Sequence, residues 1–353
     1  MGHEVTLVAA TFGVPTESHA HDYATYTFAA RRLGRGTSFA KIVSPSMVRW
    51  LFSHAREFDV AHVHMGRDFV SAVAARVLQT RNIPTVLQTH GMINPRSALP
   101  QRLVDAALVK PALRASPRIY CLNDKEMLTL DGVIDGLANR RTLVNGIALG
   151  EMTSAHLSSS TRSEVLFLAR LHPRKGAVEF ARTAQKLLAE GIDADFSIVG
   201  PDEGDGPAVD EIVAEVDRAF SGRLTREGPC AADRVGDRMA RAACYVLPAA
   251  REPLGMTVLE ALSVGVPVVV TEGCGAANVV REYGAGLVIG TDLDGLPSAI
   301  RRLVDNPVAA KSMGERGRVA VRKEWGIEMV CQTLIRDYRE TLLVKSKPWV
   351  GAQ

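Results

Sequence analysis

Residues 244–270, CYVLPAAREPLGMTVLEALSVGVPVVV, contain one full step of α/β architecture. The apolar run 244–247 is too short for a helix and stops at Pro248, so it reads as a strand buried on both faces. A loop carrying Arg251 and Glu252 follows. A helix then begins near Met256, just after Gly255, and stops at Gly265, before a second apolar run at 266–270. A strand, a helix and a strand in such short order predict a parallel sheet with helices on its faces.

The same alternation extends in both directions. Around it lie strand-like runs at 165–168, 196–199 and 287–289, with a helical stretch at 177–189. The first half repeats the pattern with runs at 5–9, 60–63, 85–87, 118–121 and 141–144. Between two of them, residues 68–79 place Val70, Val73, Ala74 and Val77 on one helical face. The class is α/β with doubly wound sheets.

A chain of 353 residues, 46% apolar, 23% charged and 5% aromatic, is too long for one core and predicts two domains. The stretch 151–162 is rich in Ser and Thr with little to bury, so it is the expected linker between residues 1–150 and 163–326. After Asn306 the pattern turns helical. Val330, Cys331, Leu334, Ile335 and Tyr338 lead to a closing helix near 328–344, within a terminal segment 327–353. No internal repeat of 20–50 residues is visible.

Thirty Gly and seventeen Pro punctuate apolar runs without a biased tract, which excludes collagen-like and largely disordered chains. The net charge is +3, with 17 basic and 11 acidic residues in 1–150 and 25 and 28 in the remainder. That surplus favours an anionic surface such as a lipid face but falls short of a nucleic-acid-binding signature. Five cysteines without a C-x-x-C pair suggest neither a disulfide framework nor a zinc knuckle. With no long apolar span and no signal-peptide layout, the expected location is cytoplasmic.

In open α/β sheets, ligands bind at the carboxyl ends of the strands. After 165–168 come Arg170, His172, Arg174 and Lys175, then Gly176 and a helix. Cations beside a helix N-terminus suit a polyanion, above all a diphosphate; a solvated basic loop is the alternative. After 244–247, the N–H groups of Gly255, Met256 and Thr257 would again face an anion. Glu260 lies one turn inside the helix, where its carboxylate can take hydrogen bonds from hydroxyls, and Glu252 precedes it by eight residues. The plainer alternative has Glu260 complementing the helix dipole and Glu252 pairing with Arg251.

Weaker signals complete the set. Asp193-x-Asp195 and Asp292-x-Asp294 read as solvated turns rather than metal sites. His62 and His64 share a strand face, yet no third ligand at suitable spacing is evident. Gly273-x-Gly275-x-x-Asn278 resembles a dinucleotide loop only faintly. Residues 47–58 mix apolar and basic side chains and fit either a core stripe or a membrane-surface helix.

Taken in order, Leu168-Ala169-Arg170 through Lys175-Gly176, Val199-Gly200-Pro201-Asp202, Leu247-Pro248, and Glu252-x7-Glu260 followed by Gly265-Val266-Pro267-Val268 resemble the donor domain of retaining GT-B glycosyltransferases. The pattern is that of the large bacterial family that includes phosphatidylinositol mannosyltransferases and capsule or exopolysaccharide glycosyltransferases, the group 1 or family 4 type. The first half matches more loosely through residues 59–64, Thr89-His90-Gly91 and Val144-Asn145-Gly146-Ile147.

The resemblance implies two Rossmann-like domains facing a cleft, with the last helix crossing back to the first domain. It implies transfer of a sugar from a UDP-, GDP- or ADP-sugar to a hydroxyl of a glycan or lipid-linked acceptor, with retention and without a metal or other cofactor, in cell-envelope polysaccharide or glycolipid synthesis. Arg170 and Lys175 would offset charge on the donor diphosphate, and Gly200, Gly255, Met256 and Thr257 would line the donor site. Glu260 would hold the ribose hydroxyls, Glu252 the sugar hydroxyls, and His90 would contact the donor sugar. Preorganised cations and helix N–H groups suit the negative charge that develops on a leaving diphosphate.

The chain departs from the family pattern at Ala148, Ala249 and Asn278. Its start, Gly2-His3-Glu4-Val5-Thr6, resembles the family's second strand, so a first βα unit and its Gly-rich loop, about 30–40 residues, are expected to be missing. Two rival readings follow: a truncated, inactive donor-binding relic, and a nucleotide-sugar epimerase.

Overall fold

The computed structural model describes residues 2–19, 23–34, 39–96, 98–147 and 162–346. Of the expected linker 151–162, all but Arg162 lies outside the described residues. The chain divides into two compact units, one of Met1–Val144 with Gln332–Gln353 and one of Asn145–Cys331.

The second unit is built on six parallel strands in the order Leu224–Glu227, Ala194–Val199, Ser163–Leu168, Cys244–Leu247, Val268–Thr271, Gly286–Ile289. Every residue of Cys244–Leu247 and Val268–Thr271 is buried, which is why these strands read as unbroken apolar runs. The helix Ala177–Ala189 buries Ala177, Phe180, Ala181, Ala184, Leu187 and Leu188, a stripe at helical spacing. Phe180 packs between Phe167 and Phe196, at ring-centroid distances of 5.7 and 6.0 Å. Leu224–Glu227 is a strand that apolar periodicity does not announce. Only its Leu224 is buried, and it exists through its ladder with Ala194–Val199.

The first unit holds four parallel strands, Ala61–His64, Thr85–Gln88, Ile119–Cys121 and Arg140–Thr142. A separate sheet pairs Thr6–Thr11 in parallel with Ala24–Ala29, which also pairs antiparallel with Glu17–Ser18. The strands of this half thus fall into more than one sheet rather than the single wound sheet expected. Thr6–Thr11 and Ala61–His64 each lie at a sheet edge. One apolar cluster of Met47, Leu51, Ala55, Ala74, Leu78 and Ile83 nevertheless packs against Val8 and Phe28 from one sheet and Ala61 and Val63 from the other.

The helix Pro45–His54 supplies part of that cluster. Its Trp50 rests on Tyr26 and Phe28, at 4.9 and 5.7 Å between ring centroids. The apolar stripe in 47–58 is therefore core, and only Phe52 projects outward, beneath the Arg81 guanidinium. The next helix, Phe69–Thr80, starts at Asp68, whose carboxylate accepts the Ser71 N–H at 2.8 Å, as an N-cap should.

The last helix, Ile327–Ser346, begins where Ile147 exchanges backbone hydrogen bonds with Trp325 and Ile327, at 2.8 and 3.0 Å. Its later residues belong to the first unit. There the fully buried Asp337 meets Arg141 and, at 3.2 Å, the Tyr120 hydroxyl, and Glu340 meets Arg118 at 3.1 Å. Among the described residues, no helix is long and apolar enough to cross a membrane.

Candidate functional site

The strand order of the second unit puts Ser163–Leu168 beside Cys244–Leu247, while the chain leaves them toward opposite edges of the sheet. A switch point of this kind opens a crevice at the carboxyl ends of the two strands. The loops that border it are 169–176 and 248–255, the two segments singled out in the sequence. They touch at Gly176, which sits at φ +79° and where a Cβ would lie 2.5 Å from the Pro248 carbonyl oxygen. A side chain cannot be accommodated there. At Gly200, φ is +150° and a Cβ would come within 1.9 Å of the Ala169 carbonyl oxygen.

Lys175 reaches across this contact to the Glu252 carboxylate, with side chains only 20% and 13% exposed. The same carboxylate accepts the Gly255 N–H at 3.1 Å. Two sequence expectations change here. Glu252 pairs with Lys175 rather than Arg251, and the Gly255 N–H is already taken. Arg170 turns to a different partner, Glu203, at 2.8 and 3.0 Å on an exposed surface.

The loop bearing Glu252 is itself clamped. Glu252 donates its N–H to the Gly273 carbonyl at 3.1 Å, and its carbonyl accepts the Gly275 N–H at 2.8 Å. A Cβ on Gly273 would lie 2.2 Å from the Ala250 oxygen, and one on Gly275 would lie 2.0 Å from the Pro253 oxygen. The Gly-x-Gly that faintly resembles a dinucleotide loop is therefore a brace for Glu252. Its signal in the sequence was the glycine pair itself, which marks close backbone approach as readily as phosphate binding.

From this loop the helix Met256–Ser263 departs, so the N–H groups of Met256 and Thr257 lie in a first turn that has no internal acceptors. The Thr257 hydroxyl is held at 2.7 Å by the buried Tyr245 hydroxyl, which also donates to the Leu168 carbonyl at 3.1 Å. That link ties the helix start to both strand ends. Glu260 is half-buried, without an ion pair among the described residues, and burial raises its carboxyl pKa. It is an acceptor partly stripped of water, suited to hydroxyls.

The first unit carries His90 in the turn after Thr85–Gln88. His90 and Gly91 are both left-handed, at φ 49° and 70°. His64 Nδ1 lies 2.6 Å from His90 Nε2, and the rings of His62, His64 and His90 form a stack with centroids 4.9 Å apart at each step. The third imidazole beside His62 and His64, which local spacing did not reveal, is thus His90. His62 Nδ1 meets the Tyr338 hydroxyl at 2.6 Å. Burial lowers the pKa of all three histidines, that of His62 to about 3, with His64 and His90 adding repulsion.

Remaining candidates resolve as structure. Asp193 and Asp195 meet Arg162 and Arg223, at 3.0 and 2.7 Å, and Asp292 accepts the Asp294 N–H at 3.3 Å within its own turn. All five cysteines are free thiols.

Comparison with known proteins adds the following. The family model for glycosyl transferases group 1 matches residues 151–320, and that for glycosyltransferase family 4 matches residues 1–127. A GDP-mannose-dependent monoacylated alpha-(1-6)-phosphatidylinositol monomannoside mannosyltransferase from Corynebacterium glutamicum is 29% identical over 189 residues. That match takes in 51% of this chain and 46% of the relative, so the chain spans about half the length of this curated relative. Among solved structures, a sucrose-phosphate synthase from Thermosynechococcus elongatus superposes with a TM-score of 0.73 at 19% identity, over 97% of this chain and 90% of its own. Anabaena HepE in complex with UDP gives 0.69 at 16% identity, over 90% and 86%. These likenesses establish the fold as GT-B, two Rossmann-like α/β domains.

Proposed function

Because the chain belongs to the group 1 glycosyltransferases, we propose that it transfers a sugar from a nucleoside-diphosphate donor to a hydroxyl of a glycan or lipid-linked acceptor, with retention of the anomeric configuration. The observation that carries this reading is the switch-point cluster. Lys175, Glu252 and the opening N–H groups of Met256–Ser263 converge at the ends of Ser163–Leu168 and Cys244–Leu247.

In this reading the donor's diphosphate displaces Glu252 from Lys175 and lies against the N–H groups of Met256 and Thr257. Arg170 swings from Glu203 to the same phosphates. The released Glu252 carboxylate then accepts hydrogen bonds from the donor sugar, and Glu260 accepts those of the ribose. As the sugar–phosphate bond breaks, the electron pair stays on the diphosphate, and the cations and helix N–H groups stabilise that added charge. A β-phosphate oxygen takes the proton of the attacking acceptor hydroxyl. The family resemblance also gives His90 a polar contact to the donor sugar.

Support for a donor of this type comes from relatives whose names or bound ligands include GDP-mannose and UDP. The basic surplus of residues 1–150 supports an acceptor carried on an anionic lipid face of the cytoplasmic membrane. The deciding experiment incubates the protein with UDP-, GDP- and ADP-sugars and hydroxyl acceptors and reads the anomeric configuration of the product by NMR. Transfer with retention is expected. Nucleotide binding without transfer would favour the donor-binding relic, and product formed without any acceptor would favour the epimerase. Sedimentation with anionic vesicles tests the membrane contact separately, and a chain left wholly in the supernatant would exclude it.

A further inference from the structure

We propose that Glu126 is a positioning residue for His90, its buried carboxylate building the left-handed turn from which the imidazole is presented. The inference rests on the reading above only in giving His90 a role at the sugar.

Glu126 is 6% exposed, and no ion pair to it occurs among the described residues. Instead its two oxygens gather donors from two separate loops. One accepts the Thr89 hydroxyl and, at 2.5 Å, the Gly91 N–H, the groups on either side of His90. The other accepts the Leu122 N–H at 2.7 Å, just past the neighbouring strand Ile119–Cys121.

A purely structural role for Glu126 would look different. It occupies the third position of the helix Asp124–Asp131, whose N-cap Asn123 accepts the Glu126 N–H at 2.9 Å. In an ordinary capping box the glutamate returns to the N–H of the cap residue. Here it also accepts from Leu122 and, on another strand's turn, from Thr89 and Gly91. The carboxylate thus serves a turn on another strand as well as the approach to its own helix.

That turn needs support. A non-glycine residue at φ 49° is disfavoured on its own, and so persists only where its surroundings fix it. Fixing Thr89 and Gly91 fixes the Cα–Cβ direction of His90 between them. His64 then engages Nε2, and among the described residues no hydrogen-bond partner meets Nδ1. The charged groups facing the imidazole are His64, backed by His62, and Glu126. The first opposes protonation of His90 and the last favours it.

The test uses Glu126→Gln, which keeps size and removes charge, Glu126→Asp, which keeps charge and shortens reach, and Thr89→Val, which removes one donor. His90 is followed by NMR of isotope-labelled histidine, assigned with His90→Asn. In Glu126→Gln the His90 titration is expected to move to lower pH by at least about half a unit. The kcat of sugar transfer should fall at least tenfold, while the Kd for a nucleoside diphosphate stays within twofold. Glu126→Asp should recover part of the kcat, and Thr89→Val should show the same pattern more weakly. An unmoved His90 titration in a folded Glu126→Gln or Thr89→Val variant overturns the proposal. So does a parallel loss of kcat, nucleotide affinity and melting temperature with that titration unmoved. The NMR readout stands even if the wild-type chain transfers no sugar, in which case the glycosyltransferase reading fails and the positioning role is still decided.

Discussion

Lys175 and Glu252 neutralise each other at the place where a donor's diphosphate is proposed to sit, so an incoming anion competes with a carboxylate for one ammonium group. This competition makes opposite predictions for the two partners. Lys175→Ala removes a charge-assisted contact worth about 1.5–3 kcal/mol, and calorimetry should show nucleoside diphosphate affinity down at least tenfold. Unchanged affinity would remove Lys175 from the phosphate site. Glu252→Gln frees Lys175, so a plain nucleoside diphosphate should bind as well as before or better, while sugar transfer drops at least a hundredfold. If binding and transfer fall together in that variant, Glu252 holds the loop rather than the sugar. Both residues were legible in the sequence as types at strand ends. Their mutual pairing was not, because 77 residues separate them and only the switch-point strand order makes them neighbours.

At the level of elements, close backbone contact decides how the loops around the crevice are shaped. Gly275→Ala would press a Cβ against the Pro253 carbonyl at 2.0 Å, a backbone clash that neither strand end can relieve cheaply. Its expected cost is about 2 kcal/mol or more, seen as a lower urea midpoint, together with weakened donor binding as the Glu252 loop shifts. A variant of wild-type stability and affinity would show that the brace is dispensable. The buried strands were readable as apolar runs because both of their faces are covered. Ala24–Ala29 and Leu224–Glu227 were not. The former is half-buried along most of its length and the latter buries one residue, so neither carries the run that marks a covered strand.

For the whole chain, the last helix and the histidine stack join distant stretches of sequence into the first unit. Asp337 is fully buried against the partly exposed Arg141 and the buried Tyr120 hydroxyl, so Asp337→Ala leaves that hydroxyl without its acceptor and should cost about 1–2 kcal/mol, read by denaturant unfolding. Wild-type stability would show that the hydroxyl finds water instead. Acid acts on the same unit through His62. The unfolded chain takes up that proton near pH 6.5, whereas the folded chain holds it off to about 3. Protons therefore favour unfolding in that window: the His62 contribution is intact above about pH 7 and declines as pH falls toward 3. Between pH 7 and pH 4.5 the loss should be roughly 2 kcal/mol. A His62→Gln variant should flatten that part of the pH profile, and an unchanged slope would remove His62 as its cause.

The sequence by itself determined the α/β class, the division into halves and the candidate residues that directly follow the strands. These follow from local properties: apolar run length, helical spacing, and the charges and glycines that directly follow a strand. Only the tertiary structure decided which of those residues meet. It set Glu252 on Lys175, made the Gly-x-Gly a brace, gathered His62, His64 and His90 into one stack, and spent the Glu126 carboxylate on the His90 turn. Each of these contacts spans strands brought side by side by the winding of a sheet, and sheet order is fixed by how buried faces pack over the whole unit rather than by any neighbour in the chain.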